Sequence, residues 1–83
     1  MMISKETLLE YIQQFLEERG VLLDASSLES YNFIAEGELD SFEILTLTMG
    51  IEAHFSVAVA PELLLDEKNA IVGNLVNALM ESI

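Results

Sequence analysis

Apolar residues recur every three or four positions near the start of the chain. This spacing places them on one face of a helix. Ser4 is a suitable N-cap and Gly20 a suitable stop, so the pattern predicts an amphipathic helix over residues 4–19. The apolar row consists of Leu8, Ile12 and Phe15, with Leu9 and Leu16 beside it.

Two parallel apolar rows predict a last helix. We expect it to begin at about Ala70, with Asn69 as its N-cap. Gly73 costs this helix roughly 1 kcal/mol relative to Ala, which indicates close packing of a neighbouring helix. The rows are Ile71, Leu75 and Leu79, and then Val72, Val76 and Met80.

Residues 20–40 lack regular periodicity and predict a long loop with a short helical turn near Ser26–Ser30. A loop of this length in a small domain is unusual and often functional. Its apolar side chains are expected to tie it to the core. They are Leu22, Leu23, Leu28, Phe33, Ile34 and Leu39.

A middle helix is predicted from Ser41 to about Phe55. The stretch SVAVAPE after it alternates like a strand, but a single strand has no partner, and we interpret it as an extended connector that ends at Pro61. ELLLDEKN then predicts a short helix or helical turn. The pattern as a whole predicts an all-α fold over a single domain of residues 1–83: three main helices, one short helix and a long loop.

The middle helix is apolar on two sides. At about 100° per residue, Ile44, Leu47, Ile51 and Phe55 form one stripe. A second cluster on nearly the opposite side consists of Phe42, Leu45 and Met49, with Thr46 and Ala53 around it. Either the helix is buried on both faces, which the pattern alone favours, or the second stripe is exposed and binds a partner.

The start of the middle helix has two candidate caps. Asp40 is a good N-cap, and Glu43 three residues later completes an Asp-x-x-Glu form of the capping box. Ser41 then falls at the first helical position with a hydroxyl that the cap does not need. Because helix N-termini stabilise anions, Ser41 suits a phosphate ester, although serine is also common as an ordinary helix-start residue.

Charge and composition narrow the function. Fifteen acids against three bases give a net charge of −12. This charge disfavours binding to nucleic acid or to an anionic membrane, and it favours protein partners with basic patches. The absence of cysteine excludes disulfides and thiolate metal sites. No secretory signal or transmembrane run is present, so we expect a cytoplasmic protein, and the unremarkable chain ends favour a free-standing one.

Residues 33–76 resemble the acyl carrier protein family. LDSFEIL is similar to the family's Asp-Ser-Leu helix start, GIEAHFSVAVAPELL to its helix end and Pro-led short helix, and IVGNLV to the opening of its final helix. The resemblance implies an acyl-carrier-like four-helix bundle and a monomeric protein that is not itself an enzyme.

The family also implies a covalent cofactor and a set of partners. A phosphopantetheinyl transferase would move 4′-phosphopantetheine from coenzyme A onto Ser41, and the thiol of that arm would hold an acyl or aminoacyl group as a thioester. Ile44, Leu47 and Ile51 would face the interior and any acyl cavity. The residues implied to meet biosynthetic enzymes with basic docking patches are Asp40, Phe42, Glu43, Leu45, Met49 and Glu52.

The sequence departs from the family at three positions. Phe42 replaces the usual Leu, and Thr46 and Ala53 stand where carriers of fatty acid synthesis commonly have acids. These departures favour a polyketide, peptide-like or other specialised pathway, or an aminoacyl carrier, over primary fatty acid synthesis.

Other readings of the sequence have less support. His54, the single histidine, lacks cysteine neighbours and is expected to be structural, and no Gly-x-Ser-x-Gly elbow accompanies Ser41 as a hydrolase would need. A rival from a different class is an unmodified acidic helical adaptor that binds a protein through the stripe of Phe42, Leu45 and Met49.

Overall fold

The computed structural model describes residues 4–37, 40–60, 62–63 and 66–82, and for Ala25, Ser41 and Ser82 it describes the backbone alone. The fold is a small all-α helical bundle. Within the described residues the β-type pairing consists of one isolated antiparallel bridge, between Asn32 and Ile71. Helix α1 spans Lys5–Glu18, α2 Ala25–Leu28, α3 Ser41–Phe55 and α4 Val72–Ser82, and a 3₁₀ helix covers Glu67–Ala70.

Helix α1 begins and ends as the sequence predicts. The Ser4 hydroxyl accepts a hydrogen bond from the amide of Thr7 at 3.1 Å, which satisfies one free N–H group of the first turn. The chain leaves the helix through Arg19 and Gly20, whose φ of 83° lies in the left-handed region that glycine adopts readily. The predicted core face is buried, namely Leu8, Ile12, Phe15 and Leu16.

The loop between α1 and α3 holds the short helix α2, close to the predicted turn. Asp24 caps it by accepting from the amide of Ser27. Leu28 and Phe33 are buried as expected and Leu23 is partly buried. The expectation for the other apolar residues was wrong for two of them: Leu22 and Ile34 are exposed, because the loop runs along the surface there, and Leu39 lies outside the described residues.

The predicted start of the last helix was wrong in detail. Asn69 is not an N-cap: its side-chain amide is buried and donates to the carbonyl of Leu63 at 2.8 Å. Ala70 belongs to the 3₁₀ helix, and Ile71 is extended because it forms the isolated bridge with Asn32. Helix α4 therefore begins at Val72, two residues later than predicted.

Backbone carbonyls take the place of a side-chain cap on α4. The amide of Val72 donates to the carbonyl of Tyr31 at 3.0 Å, and that of Gly73 to Glu29 at 2.9 Å. A Cβ atom on Gly73 would lie 2.9 Å from the same Glu29 oxygen. The close packing predicted from Gly73 is confirmed, although the neighbour is the end of α2 and not a long helix.

The connector and the short helical segment agree with the sequence prediction. Residues 57–60 have no regular structure, and Val57 and Val59 pack partly against the core while the alanines after them are exposed. Glu62 and Leu63 are helical and Glu67 begins the 3₁₀ helix, whereas Pro61, Leu64 and Leu65 of this predicted segment lie outside the described residues. The connector thus returns the chain from the end of α3 to α4.

Candidate functional site

The start of α3 is built by Asp40. Its backbone is extended, with φ −84° and ψ 176°, and its carboxylate accepts from the amide of Glu43 at 2.8 Å. This bond satisfies one of the free N–H groups of the first turn, so the cap is complete without a serine hydroxyl. Ser41 follows as the first residue of the helix, as predicted. Its side chain lies outside the described part of the structure.

Glu43 is engaged with α1. The Nε of Arg19 donates to a carboxylate oxygen of Glu43, joining the end of α1 to the first turn of α3. Arg19 is itself held by Phe15: the guanidinium carbon lies 3.5 Å from the centroid of the Phe15 ring, and Nη1 donates to the Phe15 carbonyl at 3.1 Å. The predicted capping role of Glu43 is therefore replaced by an ion pair between helices.

The second apolar stripe of α3 faces solvent. Phe42 is 78% exposed, Leu45 51% and Met49 58%. These three residues are called the exposed ridge below. Burial on both faces, the interpretation that the pattern alone favoured, is wrong, because α1 and the connector cover only the other side of the helix. Large apolar side chains clustered at the surface are typical of interaction sites.

The opposite side of α3 enters the core. Leu47 and Ile51 are fully buried, and Ile44 packs partly against the core cluster. Thr48 is also buried, and its hydroxyl donates to the carbonyl of Leu45 at 2.8 Å, which satisfies the polar atom within the helix. The two stripes therefore have separate roles, one in stability and one at the surface.

Glu52 is bonded to the connector. Its carboxylate accepts from the amide of Val59 at 2.9 Å in a partly buried setting. Six residues were expected to meet partners, and they divide into two groups. Asp40 and the exposed ridge lie at the surface, although Asp40 also caps the helix, whereas Glu43 and Glu52 are partly buried and bonded to α1 and the connector.

An aromatic cluster joins α1 to the C-terminal end of α3, at the far end of the helix from Ser41. The Tyr11 ring lies 5.1 Å from His54 and 5.7 Å from Phe55, measured between ring centroids. Gly50 allows this approach, because a Cβ atom there would lie 3.3 Å from Tyr11 Cζ and closer still to the hydroxyl. His54 thus packs against aromatic rings. Among the described residues no group of three or more His, Cys, Asp or Glu is arranged to hold a metal ion.

A groove of about 250 Å³ runs between α1 and α3, and its walls include Tyr11, Phe15 and Thr46. The inward stripe of Ile44, Leu47 and Ile51 does not line it. The acyl cavity implied by the family resemblance therefore stays a prediction.

Sequence reasoning missed two residues that contact α3 from the side of α1, namely Tyr11 within the helix and Arg19 at its C-cap. A signal for Arg19 was present, since it is one of three basic residues in the chain and lies one helical turn after Phe15. The contact with Tyr11 depends on how the two helices cross, and the sequence gives little information about that angle.

Comparison of the chain with protein-family models, with curated proteins and with solved structures finds no match. Within the described residues, no helix has both the length and the apolar character needed to cross a membrane. The site that remains to be explained is a capped helix start followed by an exposed apolar ridge.

Proposed function

We propose that the protein is an acyl or aminoacyl carrier that receives 4′-phosphopantetheine on Ser41. One observation carries the proposal. Helix α3 begins at Ser41 because Asp40 supplies the cap, and the exposed ridge begins at the very next residue. A modifiable serine beside an interaction surface is what a carrier needs.

The surroundings of Ser41 suit a bulky anionic arm. Its two neighbours in sequence, Asp40 and Phe42, are both exposed. The first turn of a helix offers N–H groups and a positive dipole end to a phosphodiester. The Asp40 carboxylate opposes this attraction, but its charge is partly offset by the Glu43 amide that it accepts from.

The arm would supply the reactive thiol that holds the cargo as a thioester. The chain has no cysteine of its own. Its residues would hold, present and orient a tethered intermediate, and the chemistry would belong to the enzymes that it visits. Tethering raises the effective concentration of the intermediate at each enzyme.

The partners we propose are a phosphopantetheinyl transferase and biosynthetic enzymes with basic docking patches. In this proposal the protein is a monomeric cytoplasmic carrier, and its net charge of −12 attracts such enzymes over long range. Thr46 and Ala53 leave the outer face of α3 uncharged, which favours secondary metabolism or a specialised lipid pathway over primary fatty acid synthesis.

Intact-mass measurement tests this proposal. The protein is co-expressed with a promiscuous phosphopantetheinyl transferase, and one added arm is expected on the wild type and none on Ser41→Ala. Ser26→Ala is the matched control, because Ser26 also follows closely on a capping aspartate in α2, and it should be modified like the wild type. A wild type that stays at its unmodified mass would contradict the proposal.

The exposed ridge also supports a second candidate, an unmodified acidic adaptor that binds a protein partner through α3. The two functions differ in their dependence on Ser41. An adaptor would gain no mass as the wild type and would keep partner binding as Ser41→Ala. A carrier would gain an arm as the wild type and would lose both the arm and its activity as Ser41→Ala.

A further inference from the structure

We infer that Arg19 is a positioning residue for the transfer of the arm onto Ser41, because it holds the first turn of α3 in place from the end of α1. The inference rests on the proposed carrier function and adds to it a residue from outside the predicted site. Arg19 acts through Glu43 and not by touching the arm.

The first turn of α3 buries little of its surface. Asp40 and Phe42 are exposed, and Glu43 is only partly buried. The packing of this helix against the core begins at Ile44, which is itself partly buried. Helix ends with so little buried surface open at a low free-energy cost. The turn that carries Ser41 therefore depends on individual bonds.

Two bonds that fix this turn meet at Glu43. Its amide donates to the carboxylate of Asp40 at 2.8 Å, and its own carboxylate accepts from Nε of Arg19. The first bond lies within the turn and is lost when the turn opens. The second reaches another helix across the mouth of the groove that Arg19 and Thr46 help to line. Arg19 thus ties to α1 the residue on which the Asp40 cap depends.

Arg19 is held in place before it meets Glu43. Its guanidinium stacks on the ring of Phe15 and also donates to the Phe15 carbonyl. The side chains of the pair are 26% and 38% exposed, against 46% and 48% for Lys5 and Glu29 in the other ion pair. A side chain that is already fixed loses less freedom on pairing, so the bond to Glu43 should be stronger than an ordinary surface pair.

The consequence for arm transfer is a change in KM. A transferase that needs the closed turn binds only the fraction of chains in which the turn is formed, so opening raises KM and leaves kcat unchanged. A surface pair changes such an equilibrium by up to about fivefold. Because the turn is close to balance, we expect loss of Arg19 to raise KM about twofold to threefold.

Hydrogen exchange tests the position of the turn without any enzyme. Arg19→Gln should lower the protection of the Glu43 and Ile44 amides, which both donate to Asp40, about threefold or more. The Gly73 amide in α4 should keep its protection. Lys5→Gln is the matched control, since it removes the same charge from α1 and should change none of the three amides. Unchanged exchange in Arg19→Gln, or an equal loss across the whole chain, would overturn the inference.

Kinetics test whether the turn matters for arm transfer. With a promiscuous phosphopantetheinyl transferase and coenzyme A, Arg19→Gln should raise KM for the protein about twofold to threefold with kcat unchanged, and Lys5→Gln should match the wild type. If Arg19 acts through Glu43, the double variant Arg19→Gln/Glu43→Ala should have the same KM as Glu43→Ala alone. A further rise in the double variant would overturn this route.

The outcomes separate this inference from the carrier function. If the wild type is modified but Arg19→Gln keeps the KM of the wild type, or loses kcat instead, the inference is overturned and the carrier function stands. If the wild type is never modified, the carrier function fails, and the role of Arg19 in arm transfer fails with it.

Discussion

The amide nitrogen of Gly73 lies 2.9 Å from the carbonyl oxygen of Glu29. This bond joins the first turn of α4 to the end of α2, and the amide of Val72 makes a second such bond to the carbonyl of Tyr31. The amide of Phe33 completes the attachment by donating to the carbonyl of Ala70 at 3.1 Å. The long loop is thus fixed to the bundle by its backbone and supplies the cap that α4 lacks.

Gly73→Ala is expected to destabilise the protein. The added Cβ would lie 2.9 Å from the Glu29 oxygen and strain the bond that anchors the loop. Overpacking of this kind costs about 1–3 kcal/mol, which exceeds the roughly 1 kcal/mol gained in helix propensity. Chemical denaturation measures the change, with Asn77→Ala on the exposed face of α4 as a control that should be neutral or stabilising. An alanine variant as stable as the wild type would show that the contact is not tight.

Ser56→Gly is expected to stabilise the protein. Ser56 ends α3 with φ 57° and ψ 44°, a left-handed conformation that costs a residue with a Cβ about 1–2 kcal/mol. Glycine removes that cost but loses more chain entropy on folding, which leaves a net gain of about 0.5–1 kcal/mol. The midpoint of thermal unfolding should rise by about 2–8 °C. Ser30→Gly, at an exposed position with negative φ, should show no such gain, and equal shifts in the two variants would refute the explanation.

Acid should weaken the contribution of Asp24 to stability. The amide of Ser27 and then the hydroxyl of Ser26 hold the pKa of this carboxyl below its ordinary value of 3.8. Because the folded state binds the proton less readily than the unfolded state, the stabilisation is present above the ordinary pKa and is lost as pH falls through the lowered one.

The measurement compares Asp24→Asn with the wild type, since the amide oxygen still caps α2 but does not titrate. The stability difference from urea unfolding should change in favour of the variant between about pH 5 and about pH 2. A difference that stays constant over this range would contradict the assignment to Asp24.

Salt should raise the midpoint of thermal unfolding. The chain has fifteen acids and three bases, and two of the bases, Lys5 and Arg19, are already paired. The Debye length falls from about 30 Å at 0.01 M salt to about 8 Å at 0.15 M, which screens most of the remaining repulsion. A midpoint insensitive to moderate salt or divalent cations would show that this repulsion is small.

Local sequence signals predicted much of the fold. Ser4 and Asp40 cap α1 and α3 as expected because a capping bond forms within three residues. Asn69 misled the prediction of α4 because a backbone capping bond to Tyr31, far away in sequence, was available instead. Likewise, the pattern of α3 identifies two apolar sides but not which neighbours cover them, so the exposure of Phe42 could only come from the packing.

The most direct test of the central claim is to localise the arm by fragmentation mass spectrometry after incubation of the purified protein with coenzyme A and a promiscuous phosphopantetheinyl transferase. The account predicts one arm per chain, carried on the fragment that contains Ser41. A chain that stays unmodified, or an arm attached to a different serine, would contradict it.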